Sequence, residues 1–92
     1  MRFYYILCMK IEDWRNRIDE LNVQLVELLN KRASYATEIG KIKKAEGLPV
    51  LDQAREQAVL DKVGPLTNGP LTEESIKNIF KVIMAETRKV ED

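Results

Sequence analysis

The clearest pattern in the chain is a series of apolar residues spaced alternately three and four positions apart in its first half. The series comprises Ile11, Trp14, Ile18, Leu21, Leu25, Leu28, Tyr35, Ile39 and Ile42. This spacing predicts one amphipathic helix with a coiled-coil-like apolar seam. No residue breaks the pattern before Gly47, so we expect a helix over residues 11–46 with a length of about 54 Å.

A turn is expected directly after this helix. Gly47 suits the position after a helix C-terminus, and Pro49 cannot continue a helix. Asp52 is a suitable N-cap because its side chain can accept a hydrogen bond from a free backbone N–H. The sequence therefore predicts a second helix over residues 53–63.

Gly64-Pro65 and Asn68-Gly69-Pro70 predict a short loop after the second helix. Thr72 then suits the N-cap of a third helix. The inward stripe of this helix is expected to contain Ile76, Ile79, Phe80, Ile83, Met84 and Thr87. Since no strand pattern is present, the predicted fold class is all-α.

The length of the first helix predicts an oligomer. A compact monomer of 92 residues has a radius of gyration of about 12 Å. Two short helices cannot cover a seam of about 54 Å, whereas the long helix of a second copy, packed antiparallel, can. We therefore expect an intertwined antiparallel helical homodimer of three-helix chains.

The N-terminal segment has a different character. Arg2 precedes an apolar run over residues 3–9, which is shorter than a signal peptide or a membrane span requires. Residues 1–9 are therefore either an N-terminal extension or an extra turn of helix, and residues 10–92 are the expected domain. The single cysteine, Cys8, allows no intrachain disulfide and favours a cytoplasmic location.

Composition excludes several classes of function. Fifteen basic residues balance fifteen acidic ones, which argues against a nucleic-acid-binding protein because such proteins carry a basic excess. The absence of histidine removes Ser-His and Cys-His nucleophilic pairs and histidine metal ligands. We therefore expect no nucleic-acid partner and no metal, and the short apolar run at 3–9 predicts no membrane segment.

Two cations on the first helix interrupt its apolar face. Arg32 stands where the seam requires an apolar residue, and Lys43 follows eleven residues later. Eleven residues are close to three turns, so these side chains lie within about 20° of one face and about 16 Å apart. Arg15 lies about 100° around the same helix. Either these cations bind an anion, or Arg32 and Lys43 extend to solvent or pair with glutamates.

The start of the second helix adds more charge. Asp52, Arg55 and Glu56 lie within one turn, either as an N-cap with ordinary surface charges or as part of a site. Together with the cations of the first helix they make three arginines, one lysine and two acids. That set indicates a pocket for a small dianion rather than an acid–base site.

At this point the chain resembles the all-α chorismate mutases (the AroQ class). The resemblance covers about residues 10–91 and rests on the order and spacing of five segments. These are WRNRIDELN at 14–22, LLNKR at 28–32, EIGKIK at 38–43, PVLD with Arg55-Glu56 at 49–56, and IFKVIMAET at 79–87. It implies a stand-alone mutase domain that converts chorismate to prephenate, without a cofactor, in aromatic amino-acid biosynthesis.

The resemblance also implies roles for the charged residues. Arg15 would reach into the partner chain's site and bind a substrate carboxylate, while Arg32 would bind a carboxylate within its own chain. Lys43 would bridge a carboxylate and the ether oxygen of the breaking bond. Asp52, mainly through its backbone, and Glu56 would hold the ring hydroxyl.

The remaining site residues are assigned in the same way. Arg55 would complete the cationic wall, and Thr87 stands where many family members have serine and would hydrogen-bond the ring carboxylate. Glu91 stands at the position of a second donor to the ether oxygen, a role that requires a protonated carboxyl group. Ile39 and Val50 would be apolar walls.

Three alternatives to a mutase remain open. Isochorismate-pyruvate lyases share this scaffold and a similar cationic pocket. A non-catalytic dimeric helical module could regulate another shikimate-pathway enzyme, and a partner enzyme of that pathway in trans also stays open. A structural coiled coil is the third alternative, but Arg32 in the seam and the break at 47–49 count against it.

Overall fold

The computed structural model describes residues 10–92 and is entirely helical over that range, apart from the turns that join the helices. Helix α1 spans Ile11–Glu46, α2 spans Gln53–Val63 and α3 spans Glu73–Glu91, with a short 3₁₀ turn at Gly64–Leu66. The predicted all-α class and the bounds of the first two helices are confirmed. The expectations for residues 1–9 and for Cys8 lie outside the described residues.

Side-chain caps start both short helices. The Asp52 carboxylate accepts a hydrogen bond from the Arg55 backbone N–H at 3.0 Å. The Thr72 hydroxyl accepts one from the Ser75 backbone N–H at 3.1 Å. Each bond satisfies a donor that the first turn of a helix leaves without a partner, which explains why α2 and α3 begin where they do.

Helix α1 ends in a Schellman motif. Gly47 has a φ of 72°, a left-handed conformation that glycine adopts without strain. The Leu48 backbone N–H donates to the Lys43 carbonyl at 2.7 Å, and the Gly47 N–H donates to the Lys44 carbonyl at 3.4 Å. These bonds occupy the last carbonyls of the helix and reverse the chain towards α2.

The segment after α2 is more helical than the sequence predicted. Gly64 has a φ of −53° and its N–H donates to the Leu60 carbonyl, so the helical path continues into the 3₁₀ turn. Pro65 occupies the first turn of that element. Its fixed φ suits a helical first turn, where no N–H is required.

The chain divides into two units at residue 31. Every residue from 10 to 31 is exposed in the single chain. The apolar seam of this segment is between 51% and 67% exposed at Ile11, Trp14, Ile18, Leu21, Leu25 and Leu28. A large apolar surface is thus available here for association. Among residues 10–92 no helix is both long and apolar enough to cross a membrane.

The second unit, residues 32–92, has a small core to which each helix contributes one buried hydrophobic residue: Ala36, Leu60 and Met84. The inward stripe predicted for α3 is buried or at most about one-third exposed, except at Ile79, which is 46% exposed. The prediction for Ile79 is wrong for the single chain. At 100° per residue it lies about 80° from the centre of the stripe, at its edge.

Gly40 allows α3 to approach α1 closely. A Cβ atom at this position would lie 2.5 Å from the Glu91 carbonyl oxygen and 2.7 Å from the Glu91 Cα. No side chain larger than hydrogen fits there without displacing backbone. The last turn of α3 is therefore packed directly against the backbone of α1.

Replacing Gly40 by alanine should destabilise the protein, because its Cβ meets backbone that cannot move aside as a flexible side chain could. We expect a net fall in the unfolding free energy of about 1–3 kcal/mol. This fall occurs although alanine has a helix propensity about 1 kcal/mol more favourable than that of glycine. Chemical denaturation followed by circular dichroism measures the change.

Gly64→Ala is the matched control. Its Cβ would meet only the end of the Lys77 side chain, at 2.6 Å, and that side chain can move. We expect a change within about 0.5 kcal/mol. Equal stability of the two variants would contradict the close approach of α3 to Gly40.

Candidate active site

A cavity of about 440 Å³ opens among the helices of the second unit, a size typical of small-molecule sites. Each helix lines it with residues at helical spacing, three, four and seven positions apart. Helix α1 provides Arg32, Tyr35, Ala36, Ile39 and Lys43; α2 with its cap provides Asp52, Arg55, Glu56 and Val59; α3 provides Met84, Thr87, Arg88 and Glu91; and Val50 comes from the turn before α2.

The cavity contains nine of the ten site residues named from the sequence: Arg32, Ile39, Lys43, Val50, Asp52, Arg55, Glu56, Thr87 and Glu91. Arg15 is the exception. It belongs to the first unit, where its Nη1 lies 3.1 Å from Glu12 Oε1. These two side chains are 65% and 74% exposed, and such surface pairs contribute little to stability.

Lys43 is held by two different elements. Its Nζ donates to the Val50 carbonyl at 2.9 Å and lies 3.6 Å from Glu91 Oε2. The Lys43 and Glu91 side chains are only 17% and 11% exposed. An ammonium group has three N–H donors, so Lys43 keeps a donor for a ligand in the cavity.

A second ion pair joins α2 to α3. Arg88 Nη1 donates to Glu56 Oε2, and the two side chains are 35% and 27% exposed. The other three ion pairs among residues 10–92 join residues three positions apart on exposed helix faces. The two pairs that connect different helices are thus both in the cavity wall.

Arg32 reaches across to α3. Its Nη1 donates to Thr87 Oγ1 at 3.1 Å, and the Thr87 hydroxyl in turn donates to the Ile83 carbonyl at 2.6 Å. The single hydroxyl hydrogen of Thr87 is therefore engaged. It must rotate away from Ile83 before Thr87 can donate to another acceptor.

Two guanidinium groups in the cavity wall have no carboxylate partner among residues 10–92. These are Arg32, which bonds a neutral hydroxyl, and Arg55, whose backbone N–H but not its side chain contacts Asp52. Guanidinium groups bind carboxylates through two parallel hydrogen bonds. The cavity can accordingly bind an anion at two points.

Several lining residues were not named as site residues from the sequence: Tyr35, Ala36, Val59, Met84 and Arg88. A periodic signal could have identified Arg88, because it lies four positions after Met84 and three before Glu91. Arg88 therefore lies on the same face of α3 as Met84 and Glu91, where the apolar stripe gives way to polar residues. No group of three or more potential metal-binding side chains occurs within the described part of the chain.

Comparison with known proteins gives consistent results. The family model for chorismate mutase type II matches residues 14–92. The chain is 39% identical over 77 residues to a bifunctional chorismate mutase/prephenate dehydratase of Neisseria gonorrhoeae, an alignment covering 84% of this chain and 21% of that protein. This chain thus spans about a fifth of that relative.

Shorter relatives match over most of their length. A chorismate mutase of Methanocaldococcus jannaschii is 26% identical over 83 residues, which cover 89% of this chain and 84% of that protein. The solved structure of form II of chorismate mutase from Thermus thermophilus has a TM-score of 0.84 and 31% identity. The match covers 88% of this chain and 92% of that one.

The Lys43–Glu91 ion pair in the cavity wall yields a stability prediction. Lys43→Met leaves the enclosed Glu91 carboxylate without its cation, so unfolding free energy should fall by about 1–3 kcal/mol. Adding Glu91→Gln should recover part of the loss, because the uncompensated charge is gone. Urea denaturation at one fixed protein concentration measures both values.

Lys41→Met is the control for this pair. Lys41 bonds Glu38 in an exposed pair on the same helix, and its loss should change stability by less than about 0.5 kcal/mol. If Lys43→Met and Lys41→Met proved equally stable, Lys43 and Glu91 would not be paired as described.

Proposed function

The chain belongs to the chorismate mutase type II family, and we propose that it converts chorismate to prephenate in aromatic amino-acid biosynthesis. The observation that carries the proposal is the pairing pattern in the cavity: Arg32 and Arg55 have no carboxylate partner among residues 10–92. Lys43 keeps a free donor beside them. Chorismate has two carboxylates, an ether oxygen and a ring hydroxyl, and these cations match its negatively charged and electron-rich groups.

The two substrate carboxylates are proposed to be bound by arginine. Arg32 binds one of them bidentately, and Thr87 turns its hydroxyl from Ile83 towards the ring carboxylate. Arg55 adds positive charge to the same wall. Binding both carboxylates holds the substrate in the compact conformer in which the reacting carbons meet, and this lowers the entropic part of the barrier.

The rearrangement itself is concerted and intramolecular. The bond between the ring carbon and the ether oxygen breaks while the enolpyruvyl methylene carbon bonds to the ring, so product and substrate have the same atoms. Negative charge grows on the ether oxygen because bond breaking runs ahead of bond formation. The free donor of Lys43 stabilises that charge much as an oxyanion hole does.

Glu91 has a different action in each protonation state. A neutral Glu91 would donate a second hydrogen bond to the ether oxygen, whereas an ionised Glu91 forms an ion pair with Lys43 and so fixes the ammonium group. Its Oε2 lies 3.6 Å from Lys43 Nζ in the present structure. Both actions direct a positive or hydrogen-donating group at the same oxygen.

The ring hydroxyl is assigned to the start of α2. Glu56 lines the cavity and would accept the hydroxyl hydrogen. The Asp52 backbone N–H donates none of the hydrogen bonds found among residues 10–92 and would donate to the hydroxyl oxygen. The Asp52 side chain is engaged as the N-cap, which is consistent with a role through its backbone.

We further propose that a second copy of the chain covers the exposed seam of residues 11–28 in an intertwined antiparallel homodimer. The six large apolar side chains of this seam are all more than half exposed in the single chain, and contiguous apolar surface of this kind marks an association site. The partner's Arg15 would then complete each cavity and bind the second carboxylate.

A prephenate-consuming enzyme is the proposed partner in the pathway. The gonococcal relative is named for a mutase and a prephenate dehydratase together. An enzyme of that reaction class would use the product of the reaction proposed here.

Arg32 provides the direct test of the catalytic proposal. The purified protein should remove the ultraviolet absorbance of chorismate. Arg32→Lys and Arg32→Met should both lower kcat/KM by about a hundredfold or more, since neither keeps the planar fork. Lys41→Met should leave kcat/KM unchanged because that pair is on the surface.

Two results would contradict the proposal. An active Arg32→Met protein would mean that Arg32 does not bind the substrate and that its contact with Thr87 is only structural. Conversion of isochorismate to pyruvate and salicylate, with chorismate left intact, would indicate the lyase instead. Both substrates are therefore assayed in parallel.

Protomer exchange tests the shared site. Arg15→Ala and Lys43→Ala proteins should each be nearly inactive, yet a mixed dimer has one site with both residues and one site with neither. Random exchange of equal amounts makes half of the dimers mixed, so about a quarter of wild-type activity should return. No recovery after exchange has been demonstrated by mass spectrometry would exclude a contribution of Arg15 across the interface.

A further inference from the structure

Arg88 is a cavity-lining cation to which the proposed mechanism gives no task. It lies on α3, and its partner Glu56 lies 32 residues earlier in the first turn of α2. Both side chains are in the cavity wall and about one-third exposed or less. The pair therefore connects two helices at the site, unlike the exposed pair that the next residue, Lys89, forms with Glu86.

The ion pair holds one oxygen of Glu56 and leaves the other available. Arg88 Nη1 contacts Oε2, whereas Oε1 accepts none of the hydrogen bonds found within residues 10–92. The Glu56 backbone N–H is already engaged, since it donates to the Asp52 carbonyl at 3.0 Å. Glu56 thus has a fixed backbone, one fixed carboxylate oxygen and one oxygen that can accept from a ligand.

A glutamate side chain has three rotatable bonds, and its carboxylate samples many positions unless a partner holds it. In this structure the Glu56 carboxylate makes its polar contact with Arg88. Removing Arg88 would therefore release the acceptor from its position while leaving α2 and its cap intact. Even a small displacement of a group that positions the substrate strongly lowers the reaction rate.

We propose that Arg88 is a positioning residue that holds the Glu56 carboxylate so that Oε1 accepts the hydrogen bond of the substrate's ring hydroxyl. The inference rests on the proposed mutase function. Arg88 acts through Glu56 and does not touch the reacting atoms.

A double-mutant cycle with chorismate tests this role. Arg88→Met should lower kcat/KM about tenfold when Glu56 is present and less than about twofold in the Glu56→Gln background, where there is no carboxylate to hold. Arg88→Lys supplies the charge without the fork and should recover part of the loss. Lys89→Met is the matched control and should keep wild-type kcat/KM.

A substrate analogue separates positioning from a general structural effect. With a chorismate analogue that lacks the ring hydroxyl, Glu56 has no hydrogen bond to accept. Wild type and Arg88→Met should then have kcat/KM values within about threefold of one another. Circular dichroism of each variant checks folding, and Arg88→Lys carries the test if Arg88→Met does not fold.

The outcomes distinguish the two levels of the proposal. An equal loss from Arg88→Met in both Glu56 backgrounds, or with both substrates, would overturn the positioning role and leave the mutase function standing. A wild-type protein that fails to rearrange chorismate would overturn the mutase function and the role of Arg88 with it.

Discussion

The packing of the last turn of α3 against Gly40 determines which charged groups share the cavity. Because Gly40 has no Cβ, the backbone of Glu91 reaches the backbone of α1. Its carboxylate then lies beside Lys43, and the preceding turn of α3 brings Thr87 to Arg32. A larger residue at position 40 would push α3 away from α1 and separate both contacts. The absence of a side chain at Gly40 is therefore required for these two contacts between the helices.

The same arrangement explains why the second unit has so small a core. Only Ala36, Leu60 and Met84 are buried among the described hydrophobic residues, because a cavity of about 440 Å³ takes up the space between the helices of this unit. Small domains bury little surface in any case. Caps, inter-helical ion pairs and the proposed partner subunit therefore have to supply stability that a larger core would provide. In return, hydrogen bonds hold Arg32 and Lys43 in place before a ligand arrives, as electrostatic catalysis requires.

The sequence predicted the helices well because their signals are local. Apolar spacing, Gly47 and the caps Asp52 and Thr72 depend only on nearby residues. Arg32 was detectable as a cation in an apolar seam. The Arg88–Glu56 pair was not, since its partners are 32 residues apart and meet only in the folded chain. The role of Arg15 needs a second chain as well as its own sequence.

Equilibrium binding of a transition-state analogue measures directly whether the cations of the cavity are complementary to the rearranging dianion. The probe is an oxabicyclic dicarboxylate shaped like the compact transition state, measured by titration calorimetry. We expect the analogue to bind at least about a hundredfold more tightly than prephenate, and Lys43→Met to lose most of this preference. Binding no tighter than that of prephenate, or a preference unchanged in Lys43→Met, would contradict this complementarity.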